Sequence, residues 1–114
     1  MENCIFCKIA RGEIPSNKAY EDEQVLAFYD LSPQAPVHVL IVPKKHVESV
    51  LGLTDEDDAL RAHMLRVAKE LANTLGVAEN GFRLVFNTGV DGGQTVMHLH
   101  MHLLAGRALG WPPG

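Results

Sequence analysis

With 114 residues, a formal charge of −4 and a pI near 5.8, the chain is sized for one domain with a modest core. Its acidity argues against a nucleic-acid backbone as the main partner, so an anionic ligand has to be held by local donors. No apolar run approaches the roughly 20 residues that span a bilayer, and the opening Met1-Glu2-Asn3-Cys4 lacks a basic stretch followed by an apolar one; no membrane association and a cytoplasmic location are expected.

Cys4 to Arg11 is compatible with a short helix that ends at Gly12, with Pro15 just beyond it. In a reducing compartment its Cys4-Ile5-Phe6-Cys7 pair points to a metal or to reactive thiols more than to a structural disulfide. Val25 to Tyr29 and Val37 to Val42 are apolar, β-branched-rich runs punctuated by Pro33, Pro36 and Pro43, the pattern of strands. From Asp55 to about Leu75 the period changes, and Leu60, Met64, Val67, Leu71 and Leu75 form one helical stripe. Thr54 is its expected N-cap and Gly76 its stop, while the run Asp55 to Asp58 suits the positive end of the helix dipole better than a metal site. Phe82 to Phe86 and His98 to Leu104 read as two further strands. The order of short helix, strands, long helix and two strands is that of an α+β domain whose helix covers one sheet face.

Half of the six histidines fall in His98-Leu99-His100-Met101-His102. On a strand, alternation sets these three on one side and Leu99, Met101 and Leu103 on the other. A solvated edge face is the plainer reading, but such faces draw Thr, Lys and Glu in preference to histidine. Residues two apart on a strand lie about 6.6 Å from each other and the outer pair about 13 Å, whereas a zinc–nitrogen bond is about 2 Å long. Two neighbours can therefore share an ion but three cannot without a sharp bend. The row suits a relay in which one imidazole acts and its neighbours set hydrogen bonds, charge and metal contacts.

Before this row runs Asn87-Thr88-Gly89-Val90-Asp91-Gly92-Gly93-Gln94-Thr95, glycine-rich enough for backbone N–H groups to converge on an anion, with donors from Gln94 and Thr95 beside the imidazole face. On its own such a segment is as readily a hairpin loop. Phosphate donors next to potential nucleophiles point to attack at phosphorus.

The stretch Gln94-Thr95-Val96-Met97-His98-Leu99-His100-Met101-His102-Leu103-Leu104 resembles the signature of the histidine-triad (HIT) family. Asp30-Leu31-Ser32-Pro33-Gln34-Ala35-Pro36-Val37-His38, Asp91-Gly92-Gly93-Gln94 and the tail Trp111-Pro112-Pro113-Gly114 are similar to its HINT branch, the nucleoside phosphoramidases, and the likeness runs from about Cys4 to the last residue. The resemblance implies a single HIT domain over residues 1–114, with an antiparallel five-stranded sheet, one long and one short helix, and a homodimer whose sheet is continuous over ten strands. It also implies hydrolysis of the P–N bond of purine nucleoside 5′-phosphoramidates, with AMP or GMP released.

In that scheme His100 is the nucleophile and forms a nucleotidyl-histidine, His102 contacts the phosphate, Thr95 assists the leaving group, and His38 and His98 support the catalytic imidazole. Asn87, Gly93 and Gln94 would lie near the phosphate, Asp30 on the ribose hydroxyls, and Phe6, Ile9, Phe28, Leu31 and Leu40 around the purine. Without the resemblance these apolar residues read as ordinary core. The chemistry agrees: a neutral imidazole attacks through one nitrogen while the other donates to an acceptor that fixes its tautomer. Thr95 stands where the branch carries serine, retaining the hydroxyl and adding a methyl group.

By analogy with other branches of the superfamily, Cys4, Cys7, His46 and His98 would hold a structural zinc, closed to chemistry because no coordination position is left open; the alternative is two reduced buried thiols and a solvated His46. No organic cofactor is expected. The tail, residues 106–114, would reach the neighbouring subunit's site with Trp111, a disordered terminus being the alternative. Three other functions remain open at the level of sequence: a dinucleoside polyphosphate hydrolase, a nucleotide-binding regulator with incidental hydrolysis, and a zinc hydrolase that uses the triad itself as ligands.

Overall fold

A computed structural model describes residues 3–114; Met1 and Glu2, which open the expected domain, lie outside the described residues. A short helix α1 (Ile5–Ala10) precedes strands β1 (Lys18–Glu21), β2 (Val25–Tyr29) and β3 (Val37–Pro43). The long helix α2 (Asp58–Thr74) follows, then β4 (Phe82–Val85) and β5 (Met101–Ala105). All pairings are antiparallel and the sheet order is β1-β2-β3-β5-β4, which is the expected five-stranded α+β architecture. Among the described residues no helix is long and apolar enough to cross a membrane.

Alternation divides the strands between two layers. Val25, Ala27, Val39, Ile41, Met101, Leu103 and Ala105 face α2, whose Leu60, Met64, Val67, Ala68, Leu71 and Ala72 complete the main core. Leu26, Phe28, Leu40 and Val42 face the other way, onto Phe6 and Ile9 of α1. The predicted stripe on α2 is thus its buried face. Thr54 donates its backbone N–H to the Asp57 carboxylate at 2.9 Å, and Asp55–Asp57 form a 3-10 turn ahead of the α-helix proper. Gly76, at φ +74°, turns the chain out of the helix.

Two expectations need correcting. Lys18–Glu21 forms an edge strand that sequence pattern did not reveal, because Lys-Ala-Tyr-Glu has no apolar alternation and its register with β2 shifts between Lys18 and Tyr20. The last strand begins at Met101 and not at His98. Ile41 is the last β3 partner of β5 and Pro43 offers no N–H, so the ladder stops there; Leu99 donates instead to the Val47 carbonyl at 2.6 Å. The chain still alternates through this stretch, with Leu99 in the main core and His98 and His100 against Phe6 on the opposite face.

Candidate active site

The three histidines of the row enter different surroundings. His98 is fully buried, its Nε2–H donating to the Pro43 carbonyl at 2.8 Å. A carbonyl only accepts, so the neutral ring's lone pair is on Nδ1, which lies 3.3 Å from Cys4 Sγ and 3.5 Å from Cys7 Sγ. His46 Nδ1 is 3.2 Å from Cys7 Sγ, and the four ligand atoms of Cys4, Cys7, His46 and His98 lie within 4.8 Å of one another. In tetrahedral zinc, bonds of about 2.3 Å to sulfur and 2.05 Å to nitrogen set S···N edges of about 3.5 Å. The donor set and spacing fit that ion. The Pro43 carbonyl orients the His98 ring in the way that outer partners fix metal-binding histidines.

His102, four residues on, belongs to another cluster. Leu40 pairs with His102 and His38 with Leu104, so His38 and His102 are diagonal neighbours on one face of β3 and β5. The Gln34 N–H donates to His38 Nδ1 at 3.0 Å, which puts the proton of a neutral His38 on Nε2, 2.8 Å from His102 Nδ1. His102 Nδ1 therefore accepts, and its proton sits on Nε2. That Nε2 is buried with no partner in the protein among the described residues. Burial, followed by the charges of His100 and His38, pushes the His102 pKa down to about 4; burial likewise lowers that of His38. At neutral pH His102 thus offers an uncharged N–H donor. Asp30, His38 and His102 also form a three-residue group that could approach a metal, but the proton between the two imidazoles occupies the atoms that a metal would need.

His100 lies between these clusters, its ring 5.1 Å from that of His102. Its Nδ1–H donates to the His98 carbonyl at 2.6 Å, so the lone pair of the neutral ring is on Nε2. His100 and His102 both line a pocket of about 270 Å³, walled by Phe6, Ile9, Phe28, Leu31 and Leu40 and bordered by Asp30 and Thr95. One imidazole there has a free lone pair while its neighbour has a free N–H. This pairing suits attack at a centre whose oxygen is held by the second ring. The three histidines are not gathered into one potential metal-ligand group: His98 belongs to one and His102 to another.

A HIT domain family model matches residues 11–109. The chain belongs to the HIT family. An uncharacterized HIT-like protein of Synechocystis is 54% identical over 113 residues, 99% of this chain and 98% of its own. The purine nucleoside phosphoramidase of Escherichia coli K12 is 49% identical over 109 residues, 96% of this chain and 92% of its own. Among solved structures, a HIT family hydrolase from Legionella pneumophila superposes with a TM-score of 0.97 at 54% identity, covering 98% of this chain and 100% of its own. A histidine triad protein from Clostridium difficile does so at 0.94 and 51%, covering 96% of each chain.

Not every residue that the HIT resemblance nominated reaches the pocket. His38 and His98 lie behind it, His38 hydrogen-bonded to the His102 ring and His98 to the His100 ring through its backbone carbonyl. The Gln94 amide serves the loop, accepting from the Gly89 N–H and donating to the carbonyls of Glu48 and Val96. Gly92 permits the loop's tight approach, since a Cβ there would lie 2.3 Å from the Thr88 carbonyl oxygen. Asn87 and Gly93 are not on the pocket wall. Trp111 is 83% exposed and away from the pocket within one chain. Conversely, the connection Ile14-Pro15-Ser16-Asn17, with Tyr29 and Val96, lines the pocket without having been nominated. The only sequence cue was the proline, which marks a fixed turn.

Proposed function

We propose that the chain is a purine nucleoside phosphoramidase. The observation that carries this reading is the tautomer pair in the pocket, with His100 Nε2 unprotonated and His102 Nε2 protonated and unpartnered. Nε2 of His100 attacks the phosphorus of a nucleoside 5′-phosphoramidate. The new N–P bond forms as the bond from phosphorus to the amine breaks, and the amine departs with a proton passed from water through the exposed Thr95 hydroxyl. His102 Nε2–H holds a phosphoryl oxygen as charge builds on it. Water then attacks phosphorus, breaks the bond to His100, loses its proton to solvent and releases the nucleoside monophosphate, restoring neutral imidazole. The apolar wall of Phe6, Ile9, Phe28 and Leu40 suits a purine, and the Asp30 carboxylate can accept from two ribose hydroxyls.

Zinc held by Cys4, Cys7, His46 and His98 would be structural, with four protein ligands and no open position. Burial, together with the neighbouring Cys4 sulfur, raises the Cys7 pKa; a bound dication reverses that preference by favouring thiolate. A homodimer is supported by the free outer edge of β4 and by the exposed apolar side chains Leu65, Phe82 and Phe86 around it. Trp111, exposed on one chain, would reach the partner's pocket.

Quenching a reaction with adenosine 5′-phosphoramidate and mapping the adduct by mass spectrometry tests the chemistry. An adenylyl group on His100 is expected, along with faster turnover than on a diadenosine polyphosphate. No adduct on His100 overturns the mechanism, and the reverse substrate order favours a dinucleoside polyphosphate hydrolase.

A further inference from the structure

Among the described residues, two side-chain polar atoms are buried without a hydrogen-bond partner in the protein, and both belong to residues of the same pocket: His102 Nε2 and Ser16 Oγ. Each such group carries a cost, and a native fold retains it where something else pairs with it. The first has a role as donor to the phosphate. The second sits at the other end of the pocket. Ser16 lies just ahead of β1, and the carbonyl of the next residue, Asn17, accepts from the Tyr29 N–H at 2.9 Å, which fastens this connection beside β2. His102 is on β5. In the order β1-β2-β3-β5 the two residues are three strand intervals apart, about 14 Å at about 4.8 Å each. Phe28 on β2 and Leu40 on β3 floor the space between them.

We infer that Ser16 is a specificity-determining residue whose hydroxyl pairs with the polar edge of the purine base. The inference rests on the nucleotide reading above. With phosphorus at His100 and His102 and the sugar at Asp30, the base extends toward β1 along the wall formed by Phe6 and Phe28, whose rings pack edge to face against each other at 5.5 Å. Its ring faces meet apolar side chains, while its edge nitrogens and exocyclic group need a polar partner. The Ser16 hydroxyl can donate or accept, and it is a hydroxyl on this wall that the protein itself leaves unpaired. A pocket that hydrogen-bonds a substrate group discriminates against a ligand lacking that group far more strongly than an apolar wall does.

The test uses the full chain, with AMP and ribose 5-phosphate as probes in calorimetric titrations and with thermal melting of the free protein. Ser16→Ala is expected to weaken AMP about tenfold or more, to leave ribose 5-phosphate unchanged because it has no base, and to leave the melting temperature of the free protein the same or higher because an unpaired buried hydroxyl has been removed. The opposite signs on affinity and stability separate this role from a structural one. Equal weakening of both probes, or a lower melting temperature with AMP affinity intact, overturns the assignment of Ser16. Failure of the unaltered protein to bind AMP overturns the nucleotide reading and the assignment together.

Discussion

Among the described residues, sixteen buried apolar residues pack together on the α2 face of the sheet, whereas the α1 face packs six and adds His38, His98, His100 and His102. One layer supplies burial. The other accepts imidazoles stripped of water, each of which costs stability unless its N–H and lone pair are matched. The difference teaches that packing on one face offsets the desolvated site on the other, so substitutions on the two faces should separate stability from chemistry. His100→Gln, on the α1 face, removes the proposed nucleophile; turnover of adenosine 5′-phosphoramidate is expected to fall at least about 10⁴-fold with the urea midpoint little changed. Leu71→Ala, on the α2 face, should lower unfolding free energy by about 3 kcal/mol and leave turnover per folded molecule intact. Equal effects of both changes on both measurements would erase the distinction.

The next largest effect concerns the end of the α1 face at which His98 meets the cysteines. With zinc in the proposed site, plasma emission should give one ion per unaltered chain, and Cys7→Ser should reduce this to a small fraction and lower the melting temperature by several degrees. The His100 adduct should still form. A variant that keeps its zinc shows that Cys7 is not a ligand; one that loses zinc and all adduct formation makes the ion part of the chemistry.

A smaller effect follows from burial of His38 and His102, whose pKa values are lowered, that of His102 to about 4. Unfolded, both titrate near 6.5. Between pH 6.5 and 4 the unfolded chain binds more protons than the folded one, so stability is full above this window and declines as pH falls through it. Carboxylates held low by partners act further down: Glu21, set at about 2 by Lys18 and then Lys44, loses its contribution only below about pH 4.5. Urea midpoints measured from pH 7 to 4.5 should therefore decline, and His102→Gln should flatten the slope. An unchanged slope would place the acid sensitivity at groups other than His102.

The two faces also differed in how far the sequence revealed them. The α2 face was legible because Leu60, Met64, Val67 and Leu71 repeat at the helical period and burial enforces that period. The alternation of His98, His100 and His102 showed which side they share, and strand spacing left one common ion dependent on a sharp bend. Hidden were the features carried by backbone groups. The tautomer of His102 descends from the Gln34 N–H, and that of His100 from the His98 carbonyl; every residue has those groups, so composition does not mark them. Ser16 was equally silent, since a serine after a proline in a connection has many ordinary readings, and only the fold brings it to the same pocket as His102.

The smallest effect sits farthest from phosphorus and tests how long the α1-face relay is. Arg107 donates through Nε and Nη2 to the Gln34 carbonyl at 3.1 and 3.0 Å, while the N–H of the same residue sets the His38 tautomer. The tail is thus tied to the peptide that begins the relay to His102. Arg107 is exposed, so Arg107→Ala should change stability by no more than about 0.5 kcal/mol. Loosening Gln34 lets His38 present either nitrogen, and in a fraction of molecules His102 no longer directs its N–H at the substrate. Steady-state kinetics should then show kcat reduced about threefold to tenfold, on the order of 1 kcal/mol, with KM nearly constant because the apolar wall is untouched. A rise in KM at constant kcat would show that Arg107 serves binding and that the relay ends at Gln34.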